Sequence, residues 1–208
     1  MTDDASNGWE AVARAFIAAR SGVGADVVRN WSRSLPTGAA VLDLGCGAGV
    51  PVSRVLAEQG CQLHGIDASP TLVEAWRHRF PQAPVACEAA EASAFFDRAF
   101  DGIVAIGLLF LLEPAAQRAV IARVAAALVP RGRFLFTAPE QAVRWNDLLT
   151  GRASVSLGRD AYRRLLAEAG LQLERESIDG GGNHYFDAVR RRGGAVPSHA
   201  SVRPLESD

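Results

Sequence analysis

Residues 43 to 67 hold the side chains and spacings best suited to chemistry. Asp43, Gly45, Gly47 and Gly49 stand at alternate positions in the run Val-Leu-Asp-Leu-Gly-Cys-Gly-Ala-Gly. Glycines so placed strip the Cβ atoms from one side of a turn, and a ligand can then press directly on the main chain. A second acid, Asp67, follows about twenty residues after the turn, where a carboxylate in a doubly wound fold accepts from both hydroxyls of a ribose. This is chemistry for holding a nucleoside. A dinucleotide site spaces its glycines G-x-G-x-x-G and receives a pyrophosphate on the helix that follows. Here the spacing is G-x-G-x-G with Val50 next, and Asp43 would repel a pyrophosphate. Both features speak against a nicotinamide-dependent oxidoreductase, although Asp67 alone would serve either kind of cofactor.

The elements that must position these groups alternate. Ala40–Leu44 is predicted as a buried strand, and Pro51 to Gln59 has helical spacing. Gln62 to Ile66 is a second strand ending at Asp67. Ser69 and Pro70 then open a helix to Phe80, as a capping serine followed by proline at the first helical position. Pro84–Cys87 and Phe100–Ile106 are the third and fourth strands. A helix over Pro114–Leu128 is stopped by Pro130 and Gly132, and Arg133–Ala138 is the fifth strand. Residues 140 to 158 are expected to be irregular, Arg159–Ala169 helical, and Leu171–Ile178 and His184–Arg190 a closing pair of strands joined by Gly180, Gly181 and Gly182. Two helices, Trp9–Arg20 and Ala25–Ser34, precede the first strand. The expected fold is therefore α/β, a Rossmann-like doubly wound and mostly parallel sheet with helices on both faces. Residues 1–192 are expected to form one domain, with 1–36 as a helical cap over the site and 193–208 as a disordered tail of Gly, Pro and Ser.

The D-x-G-x-G-x-G run of Asp43 to Gly49, then Asp67, an acid at position 88 and the closing hairpin, in that order, resembles the small-molecule type of class I S-adenosylmethionine-dependent methyltransferase. The resemblance covers roughly residues 8 to 190 and implies a seven-stranded sheet whose last strand runs antiparallel. It implies S-adenosylmethionine as cofactor, whose ammonium and sulfonium suit Asp43. Gly45, Cys46, Gly47 and Gly49 would then form the cradle, and Asp67 with Ala68 would meet the ribose. Glu88 would accept from the adenine amino group and the Ala89 N–H would meet a ring nitrogen. The family more often has Asp at position 88, and Glu91 competes for that role. Ile106 and Gly107 would lie beside the reacting methyl. Arg20 would meet the cofactor's carboxylate, its alternative being an exposed helix end. Trp9 would either cover the cofactor or anchor its helix. There is no Asn-Pro-Pro-Tyr, the family's signature for methylating planar amide or base nitrogens.

The acceptor must be met by loops at the carboxyl ends of the strands. Two stretches qualify: Gln141 to Gly158, offering Trp145 and Arg152, and Gly180 to Tyr185, offering Asn183 and Tyr185. His184 is the candidate general base, because imidazole titrates near neutral pH, with a structural histidine as the alternative. Arg144 and Arg152 hint at an anionic acceptor. Composition narrows the classes. Net charge is −1, which gathers neither nucleic acid nor acidic membrane. All 22 basic residues are arginine, which excludes Schiff-base chemistry and a Walker A loop. Cys46, Cys61 and Cys87 lack metal-ligand spacing, and no metal is expected. The acidic opening residues and the shortness of the apolar run 103–112 lead to an expected cytoplasmic location. The expected partner is a small-molecule acceptor. A binder that holds the cofactor without methylating anything is the alternative.

Overall fold

The computed structural model describes residues 4–191, so the tail expected at 193–208 lies outside the described residues. Strands β1 (Ala40–Leu44), β2 (Gln62–Asp67), β3 (Val85–Cys87), β4 (Phe100–Ala105) and β5 (Leu128–Thr137) run parallel. With β8 (Leu171–Ile178) and β9 (His184–Arg190) they make a seven-stranded sheet in the order β3-β2-β1-β4-β5-β9-β8. Within this sheet β9, the last of the described strands, runs antiparallel to both of its neighbours, and the other six share one direction. The order reverses at β1, which has β2 on one side and β4 on the other. Crossovers leave that point in opposite directions and open a crevice at the carboxyl ends of the strands.

Every residue of β1 is buried, as expected of a central strand covered on both faces. Side chains alternate along it. Leu42 and Leu44 pack against α5 (Pro114–Ala127) and α6 (Arg159–Glu168) through Val120, Val124, Tyr162 and Leu166. Val41 packs on the other face with Val28 and Trp31 of α2 (Ala25–Ser32), Val55 and Leu56 of α3 (Val52–Glu58), and Trp76 of α4 (Pro70–Arg79). Asp43 shares the parity of Val41, so period two alone turns a carboxylate inward beneath α3. Phe136 stacks on Phe134 at 4.9 Å and on Phe186 at 4.8 Å, which ties β9 into the core beside β5.

Residues 140 to 158 depart from the irregular loop expected there. β6 (Ala142–Asn146) and β7 (Ala153–Leu157) form a separate two-stranded antiparallel sheet. Its turn is pinned by Asp147, whose Oδ1 accepts from Leu149 N, Thr150 N and Thr150 Oγ1 at 3.0, 2.8 and 3.0 Å. The alternation in β7 is hidden because serines point inward: Ser154 and Ser156 are buried, and Ser156 Oγ donates to Pro139 O at 2.6 Å. A buried serine reads as polar in sequence, and the strand pattern disappears with it. β5 also starts earlier than Arg133, because Leu128 already pairs with Phe100 before a shift of register at Gly102. Of the two N-terminal helices, α2 packs on the sheet, while α1 (Trp9–Ala19) leans on α4 across the mouth of the crevice.

Candidate functional site

A cavity of about 820 Å³ occupies the crevice, floored by the ends of β1, β2 and β4 and roofed by residues 4 to 20. Its cradle is the turn after β1. Gly45 N and Cys46 N both donate to Ile66 O, at 2.8 and 3.0 Å, which holds the turn against β2. Gly47 N donates to Asp67 Oδ2 at 2.8 Å and Ser69 N to Asp67 Oδ1 at 2.9 Å. Each Asp67 oxygen therefore has one backbone donor, and a carboxylate oxygen accepts about two hydrogen bonds. Burial pushes the Asp67 carboxyl above its ordinary range, opposed by the Ser69 and Gly47 N–H bonds. Ala68, Glu88, Ala89 and Glu91 continue the wall beyond it. Among the described residues the Ala89 N–H has no protein acceptor.

Asp43 sits at the back of the cavity, 2 % exposed. Ser53 Oγ donates to Asp43 Oδ2 at 2.6 Å, and Trp76 Nε1 donates to Ser53 Oγ at 2.9 Å. Burial raises the Asp43 carboxyl to about 7, and the Ser53 bond works against that rise. One relayed hydroxyl is thin compensation for a buried charge. A cation in the cavity would supply more. Arg20, at the end of α1, spends its Nε on Val50 O at 2.8 Å and lies 4.8 Å over the Phe16 ring. Its terminal nitrogens make no hydrogen bond among the described residues. Ile106 and Gly107 line the cavity after β4, and Gly107 N donates to Thr137 Oγ1 at 2.7 Å.

The N-terminal segment closes the cavity by contacts that periodicity alone does not announce. Glu10 reaches α4, accepting from Ser69 Oγ, from Thr71 N at 3.1 Å and from Thr71 Oγ1 at 2.6 Å. Asn7 Nδ2 donates to Leu111 O at 3.0 Å. Phe16 rests over Gly47, and Trp9 meets Phe16 edge-on at 5.0 Å. Leu108, Phe110, Leu111 and Leu112 form the apolar wall after Gly107. The continuous apolar run after β4 was the signal for that wall. For Glu10 the only signal was an acid in the first turn of a helix, which usually serves its own helix terminus.

The structure separates the sequence candidates into two groups. Arg20, Asp43, Gly45, Cys46, Gly47, Asp67, Ala68, Glu88, Ala89, Ile106, Gly107 and Arg152 line the cavity, whereas Gly49, Trp145, Asn183, His184 and Tyr185 do not. Gly49 faces the protein instead: a Cβ there would lie 2.9 Å from Trp76 Cδ1 and closer still to Phe80. That glycine lets α4 approach the turn. Trp145 meets the wall residue Phe110 at 5.4 Å with the rings tilted by 45°, but is not itself part of the lining. Asn183 Nδ2 and the Tyr185 hydroxyl both donate to Asp179 Oδ2, at 2.9 Å each, and so close the turn between β8 and β9. His184 is held 2.9 Å from Glu176, which also receives Arg159, and packs on Phe186. The start of β9 does lie at the carboxyl edge of the sheet. Residues 184 and 185 nevertheless alternate to opposite faces of it, and neither lines the cavity.

Comparison with known proteins agrees with this geometry. Residues 41–132, from β1 into β5, match the methyltransferase domain family. The chain is 33% identical over 111 residues to aklanonic acid methyltransferase DauC of Streptomyces sp. (strain C5), covering 50% of this chain and 49% of that protein. It is 27% identical over 168 residues to a ubiquinone biosynthesis O-methyltransferase of Xanthomonas axonopodis pv. citri (strain 306), covering 76% of this chain and 60% of that one. The chain thus spans about half to three-fifths of the length of these curated relatives. Among solved structures, magnesium protoporphyrin IX methyltransferase from Synechocystis PCC 6803, with S-adenosylmethionine bound, superposes with a TM-score of 0.72 at 18% identity, covering 91% of this chain and 98% of that one. Residues 41–132 thus resemble the methyltransferase domain, and the sheet order with its antiparallel β9 gives the described residues the fold of these solved methyltransferase structures.

Proposed function

We propose that this chain transfers a methyl group from S-adenosylmethionine to a small-molecule acceptor. The observation that carries the reading is Asp67: a nearly buried carboxylate at the end of β2, fixed by the Gly47 and Ser69 N–H groups, with acceptor capacity left over on the cavity side. The residues around it fit the cofactor. A vicinal diol suits the two Asp67 oxygens, the free Ala89 N–H suits a ring nitrogen, Glu88 or Glu91 suits an exocyclic amine, and the Arg20 terminal nitrogens suit a carboxylate. Asp43, buried and short of partners, suits a cationic group. When bound, S-adenosylmethionine supplies a methyl already activated by its sulfonium sulfur.

The protein's part is then to orient the acceptor and exclude water. Gly107, with space at its Cα face, and the apolar wall of Leu108 to Leu112 give the acceptor a dry approach. The strap of residues 4 to 20 covers the opening. His184, committed to Glu176, takes no part in this reading, which needs no protein base for an acceptor that reaches the site as its anion or free amine. A small molecule is favoured over nucleic acid by the net charge of −1. No helix among the described residues is long and apolar enough to cross a membrane. A cytoplasmic setting goes with the proposal.

Calorimetry with S-adenosylhomocysteine and with NAD tests the reading. S-adenosylhomocysteine should bind and NAD should not, and Asp67→Ala should weaken the former by about 1–3 kcal/mol, the cost of losing hydrogen bonds to a charged group. Tight NAD binding without S-adenosylhomocysteine binding would sink the proposal.

A further inference from the structure

We propose that the acceptor is a flat, largely apolar molecule carrying an anionic group, held by the guanidinium of Arg152 and the indole N–H of Trp9. The inference deepens the methyltransferase reading and rests on it for the location of the acceptor, though not for the chemistry of recognition. Beyond the nucleoside cradle the cavity is walled by Leu108, Phe110, Leu111 and Leu112 and roofed by Trp9. Such a slot favours a planar apolar body, which can stack on aromatic faces and shed its water.

The polar groups in this half of the cavity decide what else the acceptor carries. Its acids are already engaged. Asp4 accepts from Ser6 N, Ser6 Oγ and Gly8 N, at 3.1, 2.6 and 2.8 Å. Asp147 is spent on its own turn, and Glu113 pairs with Arg144 at 3.6 Å. The Asn7 amide donates to Leu111 O. Two further donors stand out. Trp9 Nε1 is buried with no hydrogen-bond partner among the described residues. The Arg152 guanidinium makes neither an ion pair nor a hydrogen bond among the described residues. Buried polar groups are normally satisfied, so an orphaned donor beside a ligand cavity points to an acceptor atom on the ligand. A free guanidinium on the same cavity points to an anion.

Arg152 is also pre-positioned. Its N donates to Thr150 Oγ1 at 3.2 Å, and its carbonyl accepts from Asp147 N at 2.8 Å. Its stem lies against Gly8, where a built Cβ would come within 3.3 Å of Arg152 Cγ. Backbone and stem are thus held by the β6–β7 turn and by the strap, while the charged end stays available. Asp4 feels the Arg152 charge without forming an ion pair to it, so the guanidinium is not neutralised at contact distance.

The test uses binding rather than turnover. Matched pairs of probes, benzoate with benzamide, 2-naphthoate with 2-naphthamide and anthraquinone-2-carboxylate with its carboxamide, are titrated calorimetrically into the full chain, with and without saturating S-adenosylhomocysteine. At least one acid should bind about tenfold more tightly than its amide, the scale of one charge-assisted contact. The multi-ring acids should bind more tightly than benzoate. Arg152→Gln should bring the acid down to the level of the amide. Arg163→Gln, which removes a cation of α6 outside the cavity lining, should leave the preference intact. Trp9→Phe should weaken acid and amide alike. Equal binding of every acid and its amide overturns the proposal, as does a preference that survives Arg152→Gln or disappears equally in Arg163→Gln. Failure of S-adenosylhomocysteine to bind would count instead against the methyltransferase reading, and the acid series run without it would still decide the Arg152 assignment.

Discussion

Asp43 is the residue whose cost is easiest to state. A carboxyl raised from 3.8 to about 7 by complete burial penalises the folded chain once it ionises, by an amount on the order of 4 kcal/mol for a three-unit shift. The penalty is absent below the unfolded pKa, grows as pH rises through the window between the two values, and is complete above about 7. Stability of the ligand-free protein should therefore fall between pH 5 and pH 8. Asp43→Asn should flatten that fall, since an amide can keep the Ser53 bond. Ligand binding should run the other way. A cationic ligand favours the carboxylate, so S-adenosylhomocysteine affinity should rise by about tenfold between pH 6 and pH 8, and Asp43→Asn should abolish the rise. Thermal melts and calorimetry across that range measure both slopes. An affinity independent of pH in the parent protein would remove Asp43 from the cation-binding role. The presence of an acid at this position was legible from the motif. Its isolation was not, because Ser53 and Trp76 come from helices whose packing no local pattern encodes.

At the scale of elements, the glycine turn was legible as a unit and misleading in one member. Gly45 and Gly47 line the cavity, whereas Gly49 makes room for α4. Spacing cannot separate a glycine that admits a ligand from one that admits a neighbouring helix. Stability can. Gly49→Ala would drive a Cβ into Trp76 and Phe80 at φ +78°, adding overpacking of about 1–3 kcal/mol to the left-handed backbone penalty. Gly107→Ala has the same φ of +78° and nothing within 4 Å, so it should carry the backbone term alone. The expected outcome is a melting temperature several degrees lower for Gly49→Ala than for Gly107→Ala. Equal losses would mean that α4 yields at no cost. The central strands of the sheet were recoverable because their apolar runs are buried beneath helices. The β6–β7 hairpin was not, because the inward positions Ser154 and Ser156 are polar in sequence, and Ser156 finds its carbonyl partner, Pro139 O, only in the folded chain.

For the whole molecule, the order of elements was readable while the closing of the site was not. The closing contacts join residues far apart in sequence: Asn7 with Leu111, Gly8 with Arg152, and Glu10 with Thr71. The strap therefore touches the loop after β4, the β6–β7 turn and the start of α4, three walls of one cavity. Glu10 is the tightest of these ties. The Ser69 and Thr71 hydroxyls hold its carboxyl below the ordinary range, so the tie persists as a carboxylate through neutral pH and is lost only in acid. It also places a negative charge at the N-terminus of α4, where the helix dipole favours one. If these ties keep the roof in place, removing the strongest should loosen the roof while the sheet stays intact. Glu10→Ala should speed amide hydrogen exchange across residues 9 to 20 and at 71 to 73, and leave β1, β4 and β5 unchanged, because local opening draws on the least-packed unit first. Bound S-adenosylhomocysteine should slow exchange in the same strap, and should do so less in Glu10→Ala than in the parent chain. Exchange in the strap that ignores both the substitution and the ligand would mean that the apolar contacts of Ala13 and Phe16 with Ala48 and Leu72 hold the roof by themselves.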